Sequence, residues 1–158
     1  MDLYLVQHGA ATSEAENPAR PLTDEGRRTI GRLAEFLAAR AARVERVEHS
    51  DKLRARQTAE MLAARLHPSD GCVQVAGLAP NDDVAPTHAR LGEESRSLML
   101  IGHLPHLSRL VSYLLGVGED RTAVQFGMGG VVRLERDAAG AWAVRWALPP
   151  DLIAPAAD

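Results

Sequence analysis

The chain has 158 residues, 46% of them hydrophobic and 25% charged, with a formal net charge of -3; such a chain folds as one domain and is not disordered. No stretch reaches the roughly 20 consecutive apolar residues of a membrane span, and 18 basic against 21 acidic residues leave no overall field that would favour nucleic acid. A single cysteine, Cys72, can form neither an internal disulfide nor a thiolate cluster, and Met1 to Gln7 lacks the cationic start of a signal peptide, so a reducing, cytoplasmic setting is expected.

Leu3-Tyr4-Leu5-Val6, stopped by Gly9, reads as a buried strand. A polar loop from Ala11 to Leu22 follows. Thr23 then caps a helix whose Ile30, Leu33, Ala34 and Leu37 fall on one face. Val44 to His49 predicts a second strand, and Lys52 to Leu66 a second helix with Leu53, Ala59, Leu62, Ala63 and Leu66 inward, ended by Pro68. Cys72 to Val75 predicts a small strand and Asp82 to Leu91 a weaker helix started by Asn81 or Asp82. Ser97 to Ile101 is a buried strand closed by Gly102, and Leu104 to Leu115 a helix with Pro105 in its first turn. Val131 to Glu135 and Trp142 to Trp146 around Gly140 form a closing hairpin. Strand alternating with helix predicts a single-domain α/β three-layer sandwich over residues 1–148. Its sheet is mostly parallel, with helices on both faces and a C-terminal antiparallel hairpin, and 149–158 is expected to form a flexible tail.

In an open α/β sheet ligands bind beyond the carboxyl ends of the strands. Those ends carry Gln7-His8-Gly9, Ser50-Asp51-Lys52-Leu53-Arg54 and Gly102-His103-Leu104-Pro105. Two histidines and an arginine therefore converge on one rim, and the free N–H groups of the helix opened by His103 favour an anion near Leu104. An unprotonated imidazole can attack phosphorus while a second imidazole and a guanidinium neutralise the phosphoryl oxygens, without a metal or other cofactor. His103 and His106 at i, i+3 lack a third ligand for zinc. Gly127-Met128-Gly129-Gly130 precedes a strand, lacks the lysine of a phosphate loop and reads as a turn.

These segments resemble the histidine phosphatase superfamily, which has a phosphoglycerate mutase-like fold, and within it the small SixA-type phosphohistidine phosphatases. The family's Arg-His-Gly stands here as Gln7-His8-Gly9, and its Pro-Leu-Thr-x-x-Gly as Pro21-Leu22-Thr23-Asp24-Glu25-Gly26. Its Ser-x-x-Leu-Arg-Ala-x-Gln-Thr runs from Ser50 to Thr58, and its second histidine motif is Gly102-His103-Leu104-Pro105. The resemblance implies that His8 is the nucleophile that becomes phosphorylated and that Arg54 and His103 bind the phosphoryl group. It implies that the position of Gln7 does so too. It also implies a phosphohistidine-bearing protein, such as a phosphotransfer domain, as substrate, with inorganic phosphate as product and a monomeric enzyme.

Glutamine departs from that pattern. A neutral amide replaces a charged fork, which at about 1 against roughly 1.5–3 kcal/mol per hydrogen bond costs of order 1–2 kcal/mol, or roughly ten- to thirtyfold in rate. Arg20 or Arg56 is available to compensate. For the general acid the nearest candidates are Asp82 and Asp83, although a phosphoramidate leaving group is itself easily protonated. Only 48 residues separate Arg54 from His103, which leaves little chain for a lid and points to a shallow site suited to a docked protein. Two other readings stand beside this one. One is a phosphomonoesterase for small molecules; the other is a phosphate- or partner-binding module in which Gln7 marks lost catalysis.

Overall fold

The computed structural model describes residues 1–118 and 120–153. Its strands are β1 (Asp2–Gln7), β2 (Arg46–His49), β3 (Cys72–Gln74), β4 (Leu98–Gly102), β5 (Val131–Arg136) and β6 (Trp142–Leu148). They form a six-stranded sheet in the order β3-β2-β4-β1-β5-β6. The first four strands are parallel, and β5 runs antiparallel to both β1 and β6.

The central strands are continuous apolar runs because both of their faces are covered. From β1, Tyr4 and Val6 face one core while Leu3 and Leu5 face the other; from β4, Met99 and Ile101 oppose Leu98 and Leu100 in the same way. Helices α1 (Asp24–Ala39) and α2 (Leu53–Leu66) close the first core through Ile30, Leu33, Leu37, Ala55, Ala59 and Leu62. Helices α3 (Val84–Glu93) and α4 (His106–Leu114) close the second through Val84, Leu91, Leu107, Leu110 and Val111. This is the expected three-layer arrangement. On α2 the inward stripe is Ala55, Thr58, Ala59 and Leu62, whereas Leu53, Ala63 and Leu66 are only half-buried.

Thr23 caps α1 as expected, its hydroxyl accepting from the Gly26 N–H at 3.0 Å. The cap of α3 is Asp83, which accepts from the Ala85 N–H, rather than Asn81 or Asp82. In the hairpin, Arg133 faces Trp146 but the next residue, Leu134, faces Val144, so Arg145 is an extra residue in β6. A bulge turns the strand about its axis. Trp142 and Val144 consequently pack on the α3/α4 side, and Trp146 and Leu148 on the α1/α2 side. The chain stays docked beyond 148: Pro150–Leu152 makes a 3₁₀ turn and Ile153 is buried against the first core. The rest of the expected tail, 154–158, lies outside the described residues.

Candidate active site

The strand order sets β4 between β1 and β2, so the carboxyl ends of all three lie side by side. The pairing continues past the strands: the N–H of His8 donates to the Gly102 carbonyl and that of Ser50 to the Ile101 carbonyl. His8 and His103 each follow a strand by one residue, and alternation turns both towards the α1/α2 side. Their rings stand 4.9 Å apart between centroids. Both are recessed, with 7% and 2% of their surface exposed.

The hydrogen bonds define the tautomer of His8. Nδ1 lies 2.7 Å from the Gly9 carbonyl, which can only accept, so Nδ1 carries the proton. Nε2 then has a free lone pair, and it accepts from Nε of Arg54 at 3.2 Å. Burial, with the positive charges of Arg54 and Arg20, pushes the His8 pKa down to about 4 against the bond to Gly9. The ring is neutral near pH 7.

The backbone that carries His8 is fixed from several sides. Thr58, wholly buried on α2, accepts from the Gly9 N–H at 3.1 Å and donates to the Arg54 carbonyl at 2.8 Å. The Ala10 carbonyl accepts from the Thr23 N–H at 2.9 Å, and Gly26 packs so closely that a Cβ there would come within 2.1 Å of that oxygen. The turn at 127–130 completes the support. Its Gly129, at φ +82°, donates to the carbonyls of both Gln7 and His8, and a Cβ at this position would meet Thr29 at 2.7 Å. The glycine cluster thus reads correctly as a turn, yet it braces the strand end that bears His8.

On the second histidine, Nε2 lies 2.6 Å from Oγ of Ser50, which is itself 1% exposed. Nδ1 is buried without a hydrogen-bond partner. Burial, then the neighbouring charges of His8, Arg54 and Lys52, take its pKa down to about 3. Ser50 was visible only as one letter of a motif, because nothing in the local pattern links it to a ring 53 residues away.

The remaining expected residues are distributed as follows. Gln7 is buried at the end of β1 and its Oε1 has no hydrogen-bond partner. Of the two arginines available to replace the missing cation, Arg56 is exposed and paired with Glu60. Arg20 is the nearer one: its charge acts on both His8 and Arg54. The loop that carries it is closed by an Ala11–Leu22 bridge and by a bond from Arg20 Nε to the Thr12 carbonyl at 3.1 Å. Arg20 takes a left-handed backbone, φ +49°, which costs an arginine roughly 1–2 kcal/mol. Leu104 follows His103 at the rim, 38% exposed. Asp82 accepts from the Ala79 N–H and Asp83 caps α3; the charges that shift His8 are those of the arginines. Asp82 does line a cavity of about 300 Å³, together with Ser50, Asp51 and residues 74–79. Among the described residues no three His, Cys, Asp or Glu side chains converge to hold a metal ion.

Comparison with known proteins places this geometry. The family model "Histidine phosphatase superfamily (branch 1)" matches residues 3–78, and the chain is 30% identical to "Phosphohistidine phosphatase SixA" of Escherichia coli K12 over 95% of its own length and 94% of that protein's. The chain belongs to the histidine phosphatase superfamily. Its likeness to SixA over nearly the whole of both chains makes it a hydrolase. It is also 36% identical to an uncharacterized protein of Picosynechococcus over 82% of its length and 76% of that protein's. A solved structure of the protein histidine phosphatase SixA complexed with tungstate superposes with a TM-score of 0.86 at 28% identity, covering 98% of this chain and all of that one. An alpha-ribazole phosphatase structure from Shigella flexneri shares the fold, at TM-score 0.79 and 15% identity over 95% of this chain and 97% of that one.

Proposed function

We propose that this protein removes the phosphoryl group from phosphohistidine on a signalling protein, through a phosphorylated His8 and without a metal. The observation that carries the reading is the fixed tautomer of His8. Its Nδ1 proton is held by the Gly9 carbonyl and its Nε2 lone pair is directed at the Arg54 guanidinium, with His103 beside it. A neutral imidazole aimed at a cationic pocket is a phosphorus nucleophile already in its reactive form. The E. coli relative carries the name of a phosphohistidine phosphatase, and the solved SixA structure holds tungstate, a tetrahedral oxyanion.

In the first step Nε2 of His8 bonds to phosphorus while the P–N bond of the substrate breaks and the leaving imidazole takes a proton. In the second, water attacks the phosphoenzyme, releasing inorganic phosphate and restoring His8. Arg54, His103 and Arg20 face the charge that develops on the phosphoryl oxygens, with Gln7 supplying a neutral amide and Leu104 the helix-start backbone. Arg20 takes over much of the cationic role left open at Gln7, so the site is a working one rather than a vestige. The reaction needs only a phosphoprotein and water, which suits a monomer in a reducing cytoplasm.

Comparing kcat/KM on a phosphohistidine-bearing phosphotransfer domain with kcat/KM on sugar phosphates tests the reading. The protein substrate is expected to be favoured at least a hundredfold. A preference for a small metabolite would assign the protein as a phosphomonoesterase, and failure to turn over either would assign it as a binding module.

A further inference from the structure

Tyr4 stands four residues before His8 on β1, about 13 Å back along the strand. It pairs across the sheet with Arg133 of β5, and Arg133 pairs with Trp146 of β6, so the three side chains form one row on the α1/α2 face. The middle residue is anchored: Arg133 donates from Nε and Nη2 to the Asp2 carboxylate, the shortest bond 2.9 Å, while its Nη1 has no hydrogen bond among the described residues. The Tyr4 ring meets Trp146 edge to face, 6.1 Å between centroids. Tyr4 is only 3% exposed, yet its hydroxyl has no hydrogen-bond partner among the described residues. Burial, opposed by the charge of Arg133, raises its pKa, so the oxygen keeps its proton. A buried hydroxyl in that state is unfavourable unless an acceptor arrives from outside the chain. The oxygen is not sealed off, and Tyr4 lines a pocket of about 300 Å³ between the end of α1 and the β5/β6 hairpin.

Arg40 closes the rim of this pocket. Its guanidinium lies 3.5 Å from the centroid of the Phe36 ring and donates to the Phe36 carbonyl, with no carboxylate partner among the described residues. The polar side chains that line the pocket are all donors, and no Asp, Glu, Asn, Gln, Ser or Thr is among them. Asp2 balances Arg133, so Arg40 leaves an excess of positive charge. An occupant must therefore bring an anionic acceptor, and an apolar body that lies against aromatic walls. We propose that this pocket is a second ligand site, separate from the phosphoryl pocket, that takes a small aromatic carboxylate. The carboxylate accepts from the Tyr4 hydroxyl and from Arg40, and the ring lies against Trp146 and Phe36. A volume of about 300 Å³ is at the small end of ligand pockets and suits a single ring with a short acid arm.

The test is an NMR titration of the ¹⁵N-labelled protein with phenylacetate. The chain has two tryptophans, and Trp142 packs on the opposite face of the sheet, so its indole N–H is an internal control for that of Trp146. Phenylacetate is expected to shift the Trp146 indole and leave that of Trp142 in place, with a Kd below about 1 mM, within reach of a ligand of about ten non-hydrogen atoms. Acetate, which lacks the ring, and 2-phenylethylamine, which lacks the anion, are expected to bind at least about tenfold more weakly. Tyr4→Phe keeps the ring and removes the hydroxyl, and Arg40→Gln removes a charge at the exposed rim; each is expected to weaken phenylacetate about fivefold or more. Absence of a Trp146 shift at millimolar phenylacetate, or equal shifts of both indoles, would overturn the site. So would an affinity unchanged in both variants, equal binding of the amine, or displacement of phenylacetate by vanadate.

Discussion

Arg54 donates its Nε–H to Nε2 of His8 at 3.2 Å, the atom whose lone pair attacks phosphorus in the proposed reaction. The guanidinium thereby orients the lone pair and disfavours its protonation, and an arriving phosphoryl group offers the same cation better acceptors. Arg54→Ala is expected to lower kcat/KM by a hundredfold or more, since at least two charged hydrogen bonds of roughly 1.5–3 kcal/mol are removed. Arg54→Lys is expected to recover only part of this, because an ammonium lacks the planar fork. Steady-state kinetics on the three proteins, with equal activity of the lysine variant as the contrary result, provide the check.

In the proposed reaction Gln7 and Arg20 share one role, facing the phosphoryl oxygens. Arg20→Ala is expected to cost roughly five- to thirtyfold in kcat/KM, in line with about 1–2 kcal/mol for a lost charged contact. Gln7→Arg is expected to raise turnover or phosphate affinity slightly alone and more strongly when Arg20 is alanine. Absence of any gain in the double variant would show that the pocket has been reshaped around the amide.

The pH dependence follows from the buried rings. The pKa of His8 is pushed down to about 4 and that of His103 to about 3, chiefly by burial, against 6.5 for an exposed imidazole. On acidification the unfolded chain binds protons before the folded one does. Stability is thus undiminished above about pH 6.5 and is lost as pH falls from there through 4. Denaturant titrations at pH 7 and 5 are expected to show this loss, and it is expected to shrink in His103→Ala. Over the same range the first-step rate on an aryl phosphate is expected to show no acid limb near 6.5. A limb there would mean that His8 titrates as an ordinary histidine.

Since the proposed phosphoryl clamp of Arg54, Arg20 and His103 contains no metal, vanadate is expected to inhibit at low concentration and EDTA to have no effect. Strong inhibition by EDTA, reversed by a divalent cation, would remove the metal-free account.

How much of this was legible in the sequence depended on whether the cause was local. β1 and β4 declare themselves as apolar runs, Thr23 as a cap, and His8 and His103 as residues that close strands. Each signal is contained within a few residues. The Ser50–His103 contact joins positions 53 residues apart through the insertion of β4 beside β2, which no short window encodes. The same holds for Arg20, whose approach to His8 depends on a closed loop and a left-handed backbone. Trp142 and Trp146 share the alternation of one strand in the sequence, and only the extra residue at Arg145 sends them to opposite faces. The burial of Ile153 was hidden for a different reason, since a lone apolar residue among prolines and alanines carries no period.

The most direct test of the central claim is to mix the purified protein with a ³²P-phosphohistidine phosphotransfer domain, quench within milliseconds in alkali and locate the label. The account predicts an acid-labile, alkali-stable phosphoryl group on His8 that disappears as inorganic phosphate forms, with neither label nor phosphate release in His8→Ala. Phosphate release by His8→Ala at more than a few per cent of the normal rate, or a label on any other residue, would contradict it.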